Sequence, residues 1–457
     1  MESALPPTIQ MLLAEFSDED LETRKLHDRF RDSVFVRELK DQAKYSLEKF
    51  VYADDKPITN DAFLMYAGGG LNPLGTYGKC SLQECWMDNT LAFSRLAGLY
   101  ANLTLIPDPL SSWMSRIEPD KRTPNIRRDL VVLRLILPLI EAGVVQLARP
   151  TGHFCRVHAS EAYSVTEEVA AELWEVFLKD ADLSVSQGGK TVYLQVGSPL
   201  FGSTDEPFYH VVPLRPDLGK ILLRAAKPAA RGRLSKSAIH TFAKQIREYV
   251  MDEFVKHAAV SLGEAHGAAR SGSIVATTSR FENIALRIAD KKKVQQVDVE
   301  DWEKLRTLRL PWISHLDANE ILELREVASK ALDPFRLTMR KQLISEKPVQ
   351  DEDDVAKKVV MELQEAVSIV DSGLRACQSK AKKGFSVLLG SLGLSFVIYG
   401  VGSSNFGAAS AGAAMMAALT LQHGRDCDAK AEEEKLVSNP GNVLVVAREL
   451  ISHRKHD

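Results

Sequence analysis

Residues 385–421 read FSVLLGSLGLSFVIYGVGSSNFGAASAGAAMMAALTL and hold no Asp, Glu, Lys, Arg or His. Lys382 and Lys383 bound the stretch on one side, His423 and Arg425 on the other. So long an apolar run must be buried in protein, between copies of the chain or in lipid, and this limits the fold more than any other segment. Gly402, Ser403, Ser404 and Asn405 are turn formers that divide it into an aliphatic half and a Gly/Ala-rich half. The pattern predicts a helical hairpin with Phe385, Leu394, Val397, Ile398 and Tyr399 on one arm and Met415 and Met416 on the other. Each arm falls short of the roughly 20 apolar residues of a spanning helix. The small residues of the second arm permit close helix approach. Two readings stand together: a hairpin that enters or lies in a bilayer, and one buried as core or in an oligomer.

The rest of the chain has the composition of a globular protein, with 45% apolar and 26% charged residues over 457 positions. That length holds two or three domains and a large core. A net charge of -3 gives no overall footprint for nucleic acid, so such a partner would need local basic patches. The first residues, MESALPPTIQMLLAEF, lack the basic start and long apolar centre of a secretory signal, which makes cytoplasmic the expected location. Five cysteines, an odd and sparse set, fit free thiols better than a disulfide framework.

Residues 17–51 carry Leu21, Leu26, Phe30, Phe35 and Leu39 at helical spacing, with Ser17 and Asp20 as a cap. Residues 54–89 read as irregular, and Gly68-Gly69-Gly70 as a plain loop, since no clear strand precedes it and no Gly-Lys-Ser/Thr follows. Strands are expected at 102–107, 143–148, 191–196, 208–212 and 273–277, with helices at 90–101, 129–141, 167–179 and 236–262. Ser164 with Glu167, Ser279 with Glu282, and Asp317 with Glu320 have capping-box spacing. From residue 308 a helix with an apolar stripe, kinked at Pro334, is followed by a second long helix over 351–380 and then by the hairpin. A terminal element over 443–451 packs back on the rest. The expected fold is mixed α/β and α-rich. An α/β region spans residues 1–307, with 1–89 as lead-in and 90–307 as core. A helical C-terminal unit spans 308–457 and contains the hairpin at 385–421.

Three blocks carry a resemblance: Leu99-Tyr100 with Leu105-Ile106-Pro107-Asp108-Pro109-Leu110, then residues 137–143 (LPLIEAG), then Glu320-Ile321-Leu322-Glu323-Leu324-Arg325 with Pro334-Phe335-Arg336. Together they are similar to poorly characterised bacterial proteins that share a strand followed by Asp-Pro and an EILELR…FR helix. Several of those families are associated with defence against phage. The resemblance implies a bacterial cytoplasmic origin and carries over no catalytic residue.

Three constellations could carry chemistry. Cys80 and Cys85, with Cys155 and His158 (His153 lies nearby), offer four ligands of the type that hold Zn²⁺, though in looser spacing than structural zinc commonly shows. Asp108 leaves a buried strand where α/β enzymes present carboxylates; with Glu118, Asp129 and Glu141 it could hold Mg²⁺ as in a nuclease, or it could simply start a helix. Basic clusters at Arg224, Lys227, Arg231, Arg233 and Lys236, at residues 291–293, and at Arg116, Lys121, Arg122, Arg127 and Arg128 are solvated surface or contacts to phosphate or anionic lipid. The leading expectation is a non-enzymatic effector or scaffold with a membrane-active or oligomerising hairpin, self-associating or meeting a partner protein through its C-terminal helices. A nuclease centred on Asp108, and an interaction subunit with the hairpin as core, are the alternatives.

Overall fold

The computed structural model describes residues 4–17, 21, 24–55, 63–75, 83–116, 123–150, 156–198, 208–226, 232–292, 298–302, 310, 312–343, 361, 364–370 and 434–454. The hairpin at 385–421 and most of the expected 351–380 helix lie outside these residues. Two compact units emerge: Met1–Phe93 with Ala101–Arg306, and Ser94–Tyr100 with Thr307–Asp457.

The first unit is mixed α/β and rich in helix. Its elements run α1 (Pro7–Glu15), α2 (Lys25–Arg29), α3 (Ser33–Glu48), a 3-10 turn at Ala53–Asp55, β1 (Leu64–Ala67), α4 (Gln83–Tyr100, of which Ser94–Tyr100 belongs to the second unit), β2 (Leu103–Pro107), α5 (Pro109–Arg116), α6 (Thr123–Glu141) and β3 (Val145–Ala148). They continue with α7 (Arg156–Asp180), β4 (Asp182–Gly188), β5 (Thr191–Ser198), β6 (Phe208–Pro213), α8 (Pro216–Ala225), α9 (Lys236–Thr241), α10 (Ala243–Ser271), β7 (Ile274–Thr277), α11 (Arg280–Lys291) and β8 (Val299–Asp301). Five of the strands form one parallel sheet in the order β3-β2-β1-β7-β8. Strand order therefore reverses at β1: the chain builds outward to β2 and β3, then returns to β7 and β8 on the other side. Every residue of β1 is buried, as expected of a central parallel strand covered on both faces. Tyr66, Leu105 and Val275 share one core with Val169, Trp174, Phe254 and Phe281 from α7, α10 and α11.

Strand β1 is a correction to the sequence reading, which left residues 54–89 irregular. The run Phe63-Leu64-Met65-Tyr66-Ala67 is short and lacks alternation, because both of its faces are buried. A second missed strand is β4, which pairs antiparallel with β5 over Asp182–Gly188. It buries only Leu183 and Val185, and the two-residue Gly189-Lys190 turn, with Gly189 at φ 61°, closes the hairpin. The expected helix over 17–51 is broken: α3 starts afresh after Asp32, whose carboxylate accepts from the Val34 amide at 2.9 Å. Ser164 lies inside α7, which runs from Arg156, so it is no cap.

In the second unit α12 (Ala318–Val327), α13 (Ser329–Leu343) and α14 (Gly441–Arg454) pack together. Asp317 and Glu320 form the reciprocal capping box, with Glu320 N to Asp317 Oδ1 at 3.0 Å and Asp317 N to Glu320 Oε2 at 2.8 Å. The helical break falls at Ala328, upstream of Pro334, which lies within α13. The carbonyl four residues before Pro334 is that of Lys330, so the proline does not account for the break at Ala328. Arg325 donates to Gly98 O and Arg336 Nε to Leu99 O at 2.8 Å, satisfying carbonyls at the C-terminal end of α4. Val443, Leu444, Val445, Val446, Ala447 and Leu450 of α14 are buried, and a Cβ on Gly441 would stand 2.5 Å from the Ala366 backbone, so this helix start needs glycine.

Candidate functional site at the carboxyl edge of the sheet

In an open parallel sheet the crevice outside the carboxyl ends of the strands, where their order reverses, is the usual place for a ligand. Here that place lies between the loop after β1 and the turn from β7 into α11. Gly68, Gly69 and Gly70 leave β1 directly. A Cβ on Gly68 would lie 2.7 Å from Glu282 Oε2, and one on Gly69 2.8 Å from it; one on Gly70, at φ 77°, would meet Thr278 Oγ1. The three glycines thus let the loop lie flat against the β7–α11 turn.

Hydrogen bonds stitch the two together. The Thr278 amide and the Thr277 hydroxyl donate to Gly69 O at 3.2 and 2.9 Å, and Gly68 N donates to Ala276 O at 2.8 Å. Ser279 caps α11 as expected, accepting from Glu282 N at 3.3 Å. The other half of that box differs from Asp317–Glu320. Ser279 N donates to Thr277 Oγ1 at 2.9 Å, and the Glu282 carboxylate instead accepts from Gly69 N. Burial raises Glu282 above the ordinary glutamate value, opposed by the hydrogen bond from the Gly69 amide.

The other expected carboxylates lie along the same unit with separate duties. Asp108 follows β2 and is fully buried. Its Oδ1 accepts from Leu110 N at 2.9 Å and Ser111 N at 3.2 Å, capping α5, and its Oδ2 accepts from the Tyr52 hydroxyl at 3.0 Å. Burial raises its pKa against these donors. Asp129, also buried, accepts from Gly75 N at 3.0 Å and pairs with Arg128 at 2.7 Å, which ties down the far end of the loop after β1. Glu141 is exposed at the end of α6, and Glu118 lies outside the described residues. The structure therefore gives Asp108 and Asp129 different partners. Among the described residues no group of three or more His, Cys, Asp or Glu is placed to hold a metal ion. Of the zinc candidates, Cys85 is a half-buried thiol on α4; Cys80, His153, Cys155 and the His158 side chain lie outside the described residues.

A polar strap over β3 completes the edge. Asp54 and Asp55 of the 3-10 turn hold Arg149, through Arg149 N to Asp54 Oδ1 at 2.7 Å and Arg149 Nη2 to Asp55 Oδ2 at 2.7 Å, and Arg270 of α10 also reaches Asp54. Burial alone would raise both acids. It does so for Asp54, whereas the Arg149 bonds hold Asp55 below its ordinary value. The basic clusters are partly spent: Arg233 pairs with Asp182 at 3.1 Å, Lys292 with Glu172 at 2.7 Å, and Arg127 donates to Leu21 O.

The sequence reading missed the hold of Glu282 on Gly69 because the two lie more than two hundred positions apart. The available signal was an apolar run leading into Gly-Gly-Gly, with Thr-Thr-Ser after a later strand. No protein family, curated protein or solved structure matches the chain. Among the described residues no helix is long and apolar enough to cross a membrane.

Proposed function

We propose that the α/β unit is a small-molecule sensing module, and that the chain is a non-enzymatic effector or scaffold whose stretch at 385–421 inserts in membrane or drives self-association. The observation that supports sensing is the position of the Gly68–Gly70 loop. It leaves the central strand where strand order reverses, beside the N-terminus of α11, an arrangement suited to a ligand bearing an oxyanion, such as a nucleotide. A nuclease at Asp108 is less well supported, because that carboxylate caps α5 and holds Tyr52. The association with phage defence rests on the sequence resemblance, and partner binding through the C-terminal helices on their nearness in sequence to the stretch at 385–421.

The sensing half is tested by thermal unfolding and calorimetry of the full chain with inorganic phosphate, AMP, ATP and NAD. A ligand at about a hundred times its Kd stabilises by about 2.7 kcal/mol, and Gly70→Val should remove the response. Folded protein that responds to none of the four would remove the nucleotide reading. The effector half is tested by Leu394→Arg, which costs roughly 2.5–3.5 kcal/mol at a bilayer centre. The account expects folded, soluble protein that no longer sediments with vesicles. Aggregated variant protein would instead place the hairpin in the core.

A further inference from the structure

Residues 215–248 carry nine Lys or Arg against two acids, Asp217 and Glu248, in a chain whose net charge is -3. Folding turns this charge outward. Leu218 and Leu222 of α8 and Ile246 and Val250 of α10 enter the core that also holds Val192 and Leu194 of the small antiparallel sheet. Gly219 lets α8 lie close on β5, since a Cβ there would stand 2.8 Å from Val192 Cβ. With the apolar sides inward, Lys220 and Arg224 of α8 and Lys244 and Arg247 of α10 are all exposed. The two helices adjoin at this surface. The Arg215 amide donates to the Tyr249 hydroxyl at 3.2 Å, and the exposed side chains of Arg215 and Glu248 pair at 3.6 Å. Glu248 is thereby taken. Lys220, Arg224, Lys244 and Arg247 enter no ion pair among the described residues.

We propose that the outer sides of α8 and of the first turns of α10 form a docking face for a membrane surface bearing anionic lipid. Lys220, Arg224, Lys244 and Arg247 meet the headgroups, and Ile221 reaches the acyl boundary. Ile221 is what selects lipid over a phosphodiester backbone. It is 45% exposed on α8 between Lys220 and Arg224. One exposed aliphatic residue is ordinary by itself. Set between cations that lack acidic partners, it matches the layer where apolar side chains dip below charged headgroups. A nucleic acid would instead be met by aromatic rings offered to its bases, and Phe242 and Tyr249 are half-buried and packed against the core. The face belongs to the α/β unit alone and does not depend on what residues 385–421 do.

Cosedimentation of the full chain with vesicles tests it, using phosphatidylcholine alone and phosphatidylcholine mixed with phosphatidylserine. The wild type should prefer the anionic vesicles and lose that preference as salt rises. Lys220→Gln combined with Arg224→Gln should weaken anionic binding roughly 25-fold, at about fivefold per cation. Ile221→Ser should weaken it about fivefold with the charge unchanged. Arg37→Gln combined with Lys44→Gln removes the same charge from exposed positions on α3 and should change little. The preference for phosphatidylserine should persist in Leu394→Arg, so a loss confined to that variant concerns residues 385–421 and not this face. Equal binding of the wild type to both vesicle compositions overturns the docking face, whatever the variants do. So does an equal loss from the α3 and α8 pairs, since net charge alone would then account for binding. No binding to either composition overturns it too, and a shift of duplex DNA that the α8 pair abolishes would then assign these cations to a nucleic-acid backbone.

Discussion

Asp108 and Glu282 stand at the same edge of one sheet, each after or beside a parallel strand and each at most 1% exposed. Burial raises both carboxyls. Their partners separate them. Asp108 faces donors only: two backbone amides of α5 and the Tyr52 hydroxyl. Glu282 takes the Gly69 amide on one oxygen, while its other oxygen is buried with no hydrogen-bond partner. A buried acid fully supplied with donors is a fastening whose bonds do not depend on a second titrating group. One buried with an oxygen unsatisfied favours its neutral form, so its bond depends on pH. The edge thus has a fixed end at β2 and a responsive end between β1 and β7.

The largest effect expected from breaking this contrast is at the fixed end. Asp108→Ala leaves the Tyr52 hydroxyl and two amides of α5 unpaired and buried, and should cost about 3 kcal/mol or more in urea unfolding. A loss below about 1 kcal/mol would show that water or another group replaces the carboxylate. At the responsive end, Gly70→Ala places a Cβ on a residue at φ 77° and against Thr278 Oγ1. Strain and displacement together should cost about 2 kcal/mol, checked by the same unfolding curves. An unchanged midpoint would mean that the loop does not sit on the β7–α11 turn. The smallest of the three is Asp108→Asn, which keeps an oxygen for the two amides and should cost about 1 kcal/mol. If that variant abolished a nucleic-acid cleaving activity of the wild type while staying as stable, the structural account of Asp108 would fail.

The sequence made these two ends unequally visible. The apolar run Leu103–Pro107 before Asp108-Pro109 is read as a strand from its pattern, and Asp-Pro as a helix start; the alternation in β5 and the capping spacing at Ser279 and Asp317 were legible for the same local reasons. The responsive end depends on distant pairing. Leu64–Ala67 is four residues long and buried on both faces, so it has neither alternation nor length to mark it. Glu282 looked like the second half of a capping box. Only Thr277, which takes the Ser279 amide, frees it to reach Gly69, more than two hundred positions away in the chain. Ser164-Val165-Thr166-Glu167 shows the reverse: capping spacing inside α7, where the helix runs on through the signal.

The contrast comes down to whether the responsive end follows its proton. Thermal midpoints of the wild type and of Glu282→Gln, taken side by side from pH 5 to 8.5, read this directly. The account predicts that the wild type loses stability relative to the variant as pH rises, while Asp108, present in both, cancels from the difference. Two curves that stay parallel over the whole range would contradict it.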